Sequence, residues 1–297
     1  MITWGAPIWL YLWLAGMAGG AYFGAFLAEI RTTTRKGLLR LATYLGIPLA
    51  VVGVTLLIID LGEPLRFWHL ITHFNFTSPM SMGTWILALW VSIAVILVIA
   101  WWIEDHRPEM LKTGMRRIVQ VLTWADLVLS IMLMSYTGVL LATSNQPMWA
   151  GTLLLPSLFV TSAVSTGIAI LVFTILITRN SWKFPTKTVG RLIEADAVVI
   201  FIELIVLVGY VFWLNAGSLP GTHEAMRMLT TGVLAARFWI GVVLLALLIP
   251  LAINVSHWGK DIAEKRSLWT TAVASSACVL LGAMILRGIM VIGGQLI

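Results

Sequence analysis

Residues 82–103 read MGTWILALWVSIAVILVIAWWI, a run without a single charged side chain. A helix needs about 20 predominantly apolar residues to cross a bilayer, and this run supplies them. Working outward, similar windows lie near 5–29, 38–61, 117–142, 156–178, 192–215, 229–254 and 268–294, separated by charged or Gly/Pro-containing breaks. The whole chain of 297 residues is 60% hydrophobic and 11% charged, with mean hydropathy +0.96. Soluble domains run near 45–50% apolar and about 25% charged, so a water-soluble enzyme, a disordered tail and a nucleic-acid module are excluded. No window is polar enough for an inter-domain linker, and no internal repeat stands out. The expected fold is an all-α membrane protein, eight transmembrane helices in one bundle, forming a single integral membrane domain over 1–297.

The basic residues orient that bundle. Arg31, Arg35, Lys36 and Arg40 follow span one, and Arg107, Lys112, Arg116 and Arg117 follow span three. Arg179, Lys183, Lys187 and Arg191 follow span five, and Lys260, Lys265 and Arg266 follow span seven. Fifteen of the nineteen lysines and arginines therefore share one side. The positive-inside rule makes that side cytoplasmic, with both termini and the 62–81, 143–155 and 216–228 connections on the outer, periplasmic side of a prokaryotic cytoplasmic membrane. The charges sit where they suit anionic membrane lipid, and no nucleic-acid partner is expected. No basic residue precedes Trp4 to Ala28, so this segment reads as a retained span and not a cleaved signal. Trp4, Trp68, Trp101, Trp102, Trp149, Trp182, Trp213, Trp258 and Trp269 fall at or near span ends, the expected place for a headgroup belt.

The chemistry available to the protein is narrow. One cysteine, Cys278, cannot supply an iron–sulfur cluster, which takes about four thiolates. His69, His73, His106, His223 and His257 lie in or beside connections, leaving the spans without an axial pair for haem. A metal site on His69 and His73 lacks an obvious third ligand. The expectation is a subunit with no haem, no cluster and no metal of its own.

Two sets of residues stand out. In the first, Asp60-Leu-Gly-Glu-Pro-Leu-Arg-Phe-Trp-His69 continues to Ser78-Pro-Met-Ser-Met-Gly83. Pro64 suits a first helical turn, and Arg66, His69 and His73 then share one face of a short interfacial helix on the outer surface. This is either an amphipathic connector or a polar lid over a headgroup pocket. Tyr136, near the outer end of span four, lies at that level and is either a belt residue or a phenol donor.

The second set is ionisable residues inside spans, each costing at least about 2.5 kcal/mol at mid-membrane. Asp196 and Glu203 lie on one face of span six. Helix rise sets Glu203 about 18 Å from the cytoplasmic end and Arg237 about 12 Å from the outer end, with Arg287 near the same level. Glu203 with Arg237 or Arg287 is the candidate buried pair, and Asp126, Glu194 and Asp196 extend toward the cytoplasm. These groups either lock helices together or form a proton path. The small-residue strings Gly16-Met-Ala-Gly-Gly20 with Gly24, and Ser162-Ala-Val-Ser-Thr-Gly167, read as close helix packing. Met132 and Met134 read as packing residues.

Several stretches, taken together, resemble the NrfD/PsrC family, the membrane subunits of polysulfide reductase, formate-dependent nitrite reductase and related respiratory complexes. They are Trp4-Gly-Ala-Pro with Tyr11-Leu-Trp-Leu-Ala-Gly16, the Asp60–His69 stretch, Phe76-Thr-Ser-Pro-Met-Ser-Met-Gly83, Tyr136-Thr-Gly-Val-Leu-Leu141, and Leu286-Arg287 with Gly294-Gln-Leu296. The resemblance implies an eight-helix subunit that binds a dissociable quinone, menaquinone or ubiquinone, near the outer face. It implies a ferredoxin-like iron–sulfur partner, itself linked to a molybdenum, tungsten or multihaem catalytic subunit. Tyr136 matches the family tyrosine associated with a quinone carbonyl, and Asp60, Arg66 and His69 match the outer-loop motif. Some members pair histidine and asparagine near the start of span one, whereas residues 1–28 here contain neither. On this reading Tyr136 and His69 exchange protons with the carbonyl oxygens, Asp60 orients or accepts, and Arg66 sets the local field. Rival readings are a proton- or solute-translocating subunit, prompted by Glu203 and Arg237, and a passive anchor.

Overall fold

A computed structural model describes residues 4–30, 37–60, 69–72, 75, 78–107, 109, 113–144, 146–149, 151–178, 184–217, 220–260 and 266–296. Eight helical segments are long and apolar enough to cross a membrane. They are α1 (Ala6–Glu29), α2 (Gly37–Asp60), α4 (Pro79–His106), α5 (Thr113–Ala142), α6 (Leu154–Ile177), α7 (Thr186–Ala216), a π-helix (Arg237–Leu248) continued by α9 (Ile249–Ser256), and α10 (Arg266–Gly293). Short helices α3 (His69–Thr72) and α8 (Thr222–Thr230) lie between them.

Helix α1 runs through the middle of the bundle, against α2, α5, α6 and α10. Its small residues are what allow this. A Cβ on Gly20 would stand 1.8 Å from the Ala163 carbonyl oxygen, and one on Gly167 would stand 2.0 Å from the Gly20 carbonyl carbon. The two small-residue strings thus meet each other backbone to backbone, the geometry that drives helix association where lipid offers no hydrophobic gain. Helix α10 approaches the π-helix in the same way, since a Cβ on Gly282 would lie 2.3 Å from Ala246 Cβ.

Helix ends follow local chemistry. Pro7 and Pro79 occupy first turns, where the missing N–H is no loss, and the Ser78 hydroxyl caps α4 by accepting from Ser81 N. Helix α7 stops at Gly217, with φ +63°, the left-handed conformation that favours glycine. On the basic side the Glu29 carboxylate accepts from the N–H groups of Leu38 and Leu39 at 2.8 and 3.0 Å, neutralising free donors at the start of α2. Arg40 spans from α2 to Glu104 and Asp105 on α4 at 2.6 and 2.7 Å.

Two expectations change. The seventh span begins at Arg237 rather than near 229, because residues 231–234 turn between α8 and the π-helix. Arg237 therefore sits at the end of the span and is exposed, not 12 Å inside it. Trp149 does not join a lipid-facing belt: it is 3% exposed, and its indole N–H donates to the Met290 carbonyl at 2.6 Å. Satisfying that donor inside the bundle removes the reason to seek the headgroups. Arg66 and His73, and most of the expected interfacial helix, lie outside the described residues.

Candidate functional site

Tyr136 comes off α5 one turn and a half before its end and turns toward α4. Gly83 of α4 makes room: a Cβ there would stand 1.9 Å from Tyr136 Cζ. The ring lies over bare backbone and, at 8% exposure, is held in the protein. Beyond it opens a cavity of about 410 Å³, walled by Trp4, Ile8 and Tyr11 of the α1 side, Val54 and Ile58 of α2, and Thr84, Leu87 and Val91 of α4, with Leu140 beside Tyr136. The lining along α4 runs from Met80 to Ser92, about 18 Å of helix. Val51, Thr55, Met80 and Ser92, also in the lining, are exposed on the surface that faces the bilayer, so the cavity opens sideways between α2 and α4.

Its polar groups divide into two kinds. The hydroxyls of Thr55, Thr84 and Ser92 donate to carbonyls of their own helices, those of Val51, Met80 and Ala88, at 2.8, 3.0 and 2.7 Å. The phenols of Tyr136 and Tyr11 have no hydrogen-bond partner among the described residues. An apolar cavity presenting two uncommitted donors suits a hydrophobic molecule carrying carbonyl oxygens. Tyr11 lines the cavity without standing out in the sequence by itself, although it belongs to the Tyr11-Leu-Trp-Leu-Ala-Gly16 motif. Its signal is helical phase, since Ile8 and Tyr11 of α1 stand at i and i+3 and both line the cavity.

Two further candidates, Asp60 and His69, lie elsewhere. Asp60 ends α2, exposed, with Oδ1 3.5 Å from where a Cβ on Gly5 would stand, close to the positive end of α1. His69 is exposed in α3. Neither belongs to the cavity lining.

Deeper in the bundle a polar assembly crosses four helices. Arg287 is fully buried; its Nη1 donates to Ser162 Oγ and to the Ala283 carbonyl, both at 3.1 Å, and its guanidinium lies 5.4 Å from the Phe159 ring centre. Nε and Nη2 are without partners among the described residues. Ser162 also meets the Glu203 carboxyl group, so this serine links the two side chains, which form no direct ion pair. No described hydrogen bond or ion pair joins Arg237 to this junction; it lines a groove with Trp9 and Ile285. Two turns away along α7, Asp196 accepts from Ser165 Oγ at 2.8 Å and from Asn254 Nδ2 at 2.9 Å, and Asn254 Oδ1 accepts from Ser275 Oγ at 2.8 Å. Ser162 and Ser165 stand out in the sequence only as packing residues, and Asn254 and Ser275 do not stand out at all, because small polar residues in spans carry no polar signal until a partner is known. Glu194 accepts from Gly259 N at 3.0 Å, at the basic-side surface. Asp126 is fully buried on α5, near Tyr22 of α1, and neither carboxyl oxygen has a partner among the described residues. No described hydrogen bond joins it to Asp196.

An all-helical, multi-pass membrane protein with a lateral apolar cavity and a buried polar assembly is the class these features define. The family model described as "Polysulphide reductase, NrfD" matches residues 1–297. The protein belongs to this family of integral membrane oxidoreductase subunits, in a prokaryotic cytoplasmic membrane. It is 32% identical over 279 residues to the C subunit of the polysulfide reductase of Wolinella succinogenes, covering 86% of this sequence and 84% of that one. To protein NrfD of Escherichia coli it is 26% identical over 316 residues, covering 99% and 96%. Similarity extends to the Hdr-like menaquinol oxidoreductase integral membrane subunit of Archaeoglobus fulgidus, 23% identical and covering 80% of this sequence and 58% of that one.

Proposed function

We propose that the protein is a quinone- or quinol-reactive membrane subunit whose headgroup site is the Tyr136 cavity. The observation that carries this reading is the pairing of two uncommitted phenols, Tyr136 and Tyr11, with an apolar cavity that opens toward the bilayer. The apolar length along α4 suits an isoprenoid tail, and the side opening lets a lipid-soluble molecule arrive without crossing water. The Archaeoglobus relative, named for menaquinol, agrees with this substrate class. Quinol oxidation delivers two electrons and two protons. The phenol O–H groups donate hydrogen bonds to the carbonyl oxygens and fix the ring. Asp60 and His69, which do not line the cavity, act as proton-exchanging groups, and Arg66 of the same motif sets the field. Electrons leave to a ferredoxin-like iron–sulfur partner docked on that face, and from there to a molybdenum, tungsten or multihaem subunit. Binding of a quinone analogue to the assembled complex, compared with Tyr136→Phe, tests this: unchanged affinity and turnover in the variant remove Tyr136 from the site.

A second reading rests on Arg287. A fully buried guanidinium with two nitrogens unpartnered among the described residues calls for water or a shifting partner, and it lies beside Gly16 of α1, five residues from Tyr11, about 8 Å along the axis. We propose that Arg287, Glu203 and Asp196 form a wet file for protons, with Asp126 as a separate buried acid. Proton-to-electron stoichiometry in vesicles should fall in Glu203→Gln, while an unchanged ratio reduces the assembly to helix packing.

A further inference from the structure

The most heavily braced wall of the cavity is Trp4, and the bracing comes from the far end of the sequence. Trp4 precedes α1, which starts at Ala6, so the helix does not depend on it. Yet its backbone N–H donates to Gln295 Oε1 at 2.6 Å, and its carbonyl accepts from Gln295 Nε2 at 3.1 Å, across 291 positions of sequence. The same Nε2 donates to the Val291 carbonyl at 2.9 Å, which holds the amide on the last turn of α10. The Trp4 ring is fixed independently, stacked on Trp149 with centres 5.4 Å apart and planes 21° apart. Trp149 is itself anchored by its bond to Met290, and it fits only because residue 294 is glycine: a Cβ there would stand 2.0 Å from Trp149 Cε2.

One residue thus has both backbone polar groups satisfied by a single amide and its ring clamped from behind. A side-chain amide carries an acceptor oxygen and a donor nitrogen side by side on one plane, matching the two backbone groups of Trp4; glutamate keeps the acceptor and loses the donor, and leucine loses both. The clamped ring borders the cavity that holds Tyr11 and Tyr136. We infer that Gln295 is a positioning residue for the quinone cavity: it sets Trp4 as a rigid wall, so that the headgroup meets preformed surface and not a mobile indole. A pre-ordered wall spares the ligand the cost of ordering it on binding. This inference rests on the proposed quinone site, and the clamp itself can be tested apart from it.

The test uses the full-length protein labelled with 5-fluorotryptophan, with the Trp4 resonance assigned by Trp4→Phe, beside quinol kinetics of the complex. In Gln295→Leu the Trp4 fluorine signal is expected to shift and broaden, and KM for quinol to rise about tenfold, the scale of one or two lost hydrogen bonds, with kcat changed less than twofold. Gln295→Glu should fall between Gln295→Leu and the wild type. An unaltered Trp4 resonance in Gln295→Leu overturns the clamp. A mobile Trp4 with unchanged KM overturns the positioning role. If the wild-type Trp4 signal ignores a saturating quinone analogue while the Gln295→Leu signal moves, the clamp stands and the quinone site at this cavity fails.

Discussion

Adding one methyl group at Gly83 should disable the Tyr136 site from behind. The new Cβ would lie 1.9 Å from Tyr136 Cζ and 2.3 Å from both Cε atoms, in effect inside the ring. Carbon atoms in contact prefer about 3.5–4.0 Å, so the ring must retreat by roughly 1.6 Å or α4 must move away from α5. Overpacking of this kind costs about 1–3 kcal/mol, and a misplacement near 1 Å at a reacting group can cost about a hundredfold in rate. The expected result for Gly83→Ala is a loss of about 10- to 100-fold in quinol-linked kcat/KM, measured on the assembled complex, with the protein still inserted. Thermal unfolding in detergent then isolates the cause. In a Tyr136→Ala background the methyl has empty space to enter, so the destabilisation by Gly83→Ala should vanish; contacts that couple two sites show in such a cycle. Wild-type turnover in Gly83→Ala, or an equal loss of stability with and without the Tyr136 ring, refutes the packing argument.

Tyr136→Phe and Tyr11→Phe should each weaken quinone-analogue binding about 5- to 10-fold, the worth of one hydrogen bond; a null effect in Tyr11→Phe would leave a one-phenol site. Gly20→Val should prevent a stable bundle, because even a Cβ there meets the Ala163 carbonyl oxygen at 1.8 Å, and normal yield of monodisperse protein would contradict the α1–α6 contact. Asn254→Leu strips a donor from buried Asp196 and the partner from Ser275, which should cost about 1–3 kcal/mol per unsatisfied group, readable as a lower Tm.

Much of the architecture is legible in the sequence because the bilayer imposes one strict demand: roughly 20 apolar residues per crossing, with every backbone group bonded within the helix. Residues 82–103 satisfy it without any knowledge of neighbours, and so do seven other windows. The small-residue strings announce close packing, though not that Gly20 and Gly167 pack on one another. Tyr136 is legible from its motif. Its companion is not: Tyr11 resembles any aromatic of an apolar span until α1 and α5 are set side by side. The start of span seven is concealed, because the apolar content of 229–236 hides a turn, and reading through that turn places Arg237 in the depth of the membrane.

Composition and periodicity therefore determine how many helices there are and which residues must lie within apolar surroundings, since those are properties of each segment against lipid. Pairing is a property of two segments at once. Whether Glu203 meets Arg287 through Ser162, whether Gly83 yields to a phenol, and whether Gln295 grips Trp4 depend on distances of a few ångströms between helices far apart in sequence, and only the packed bundle sets them.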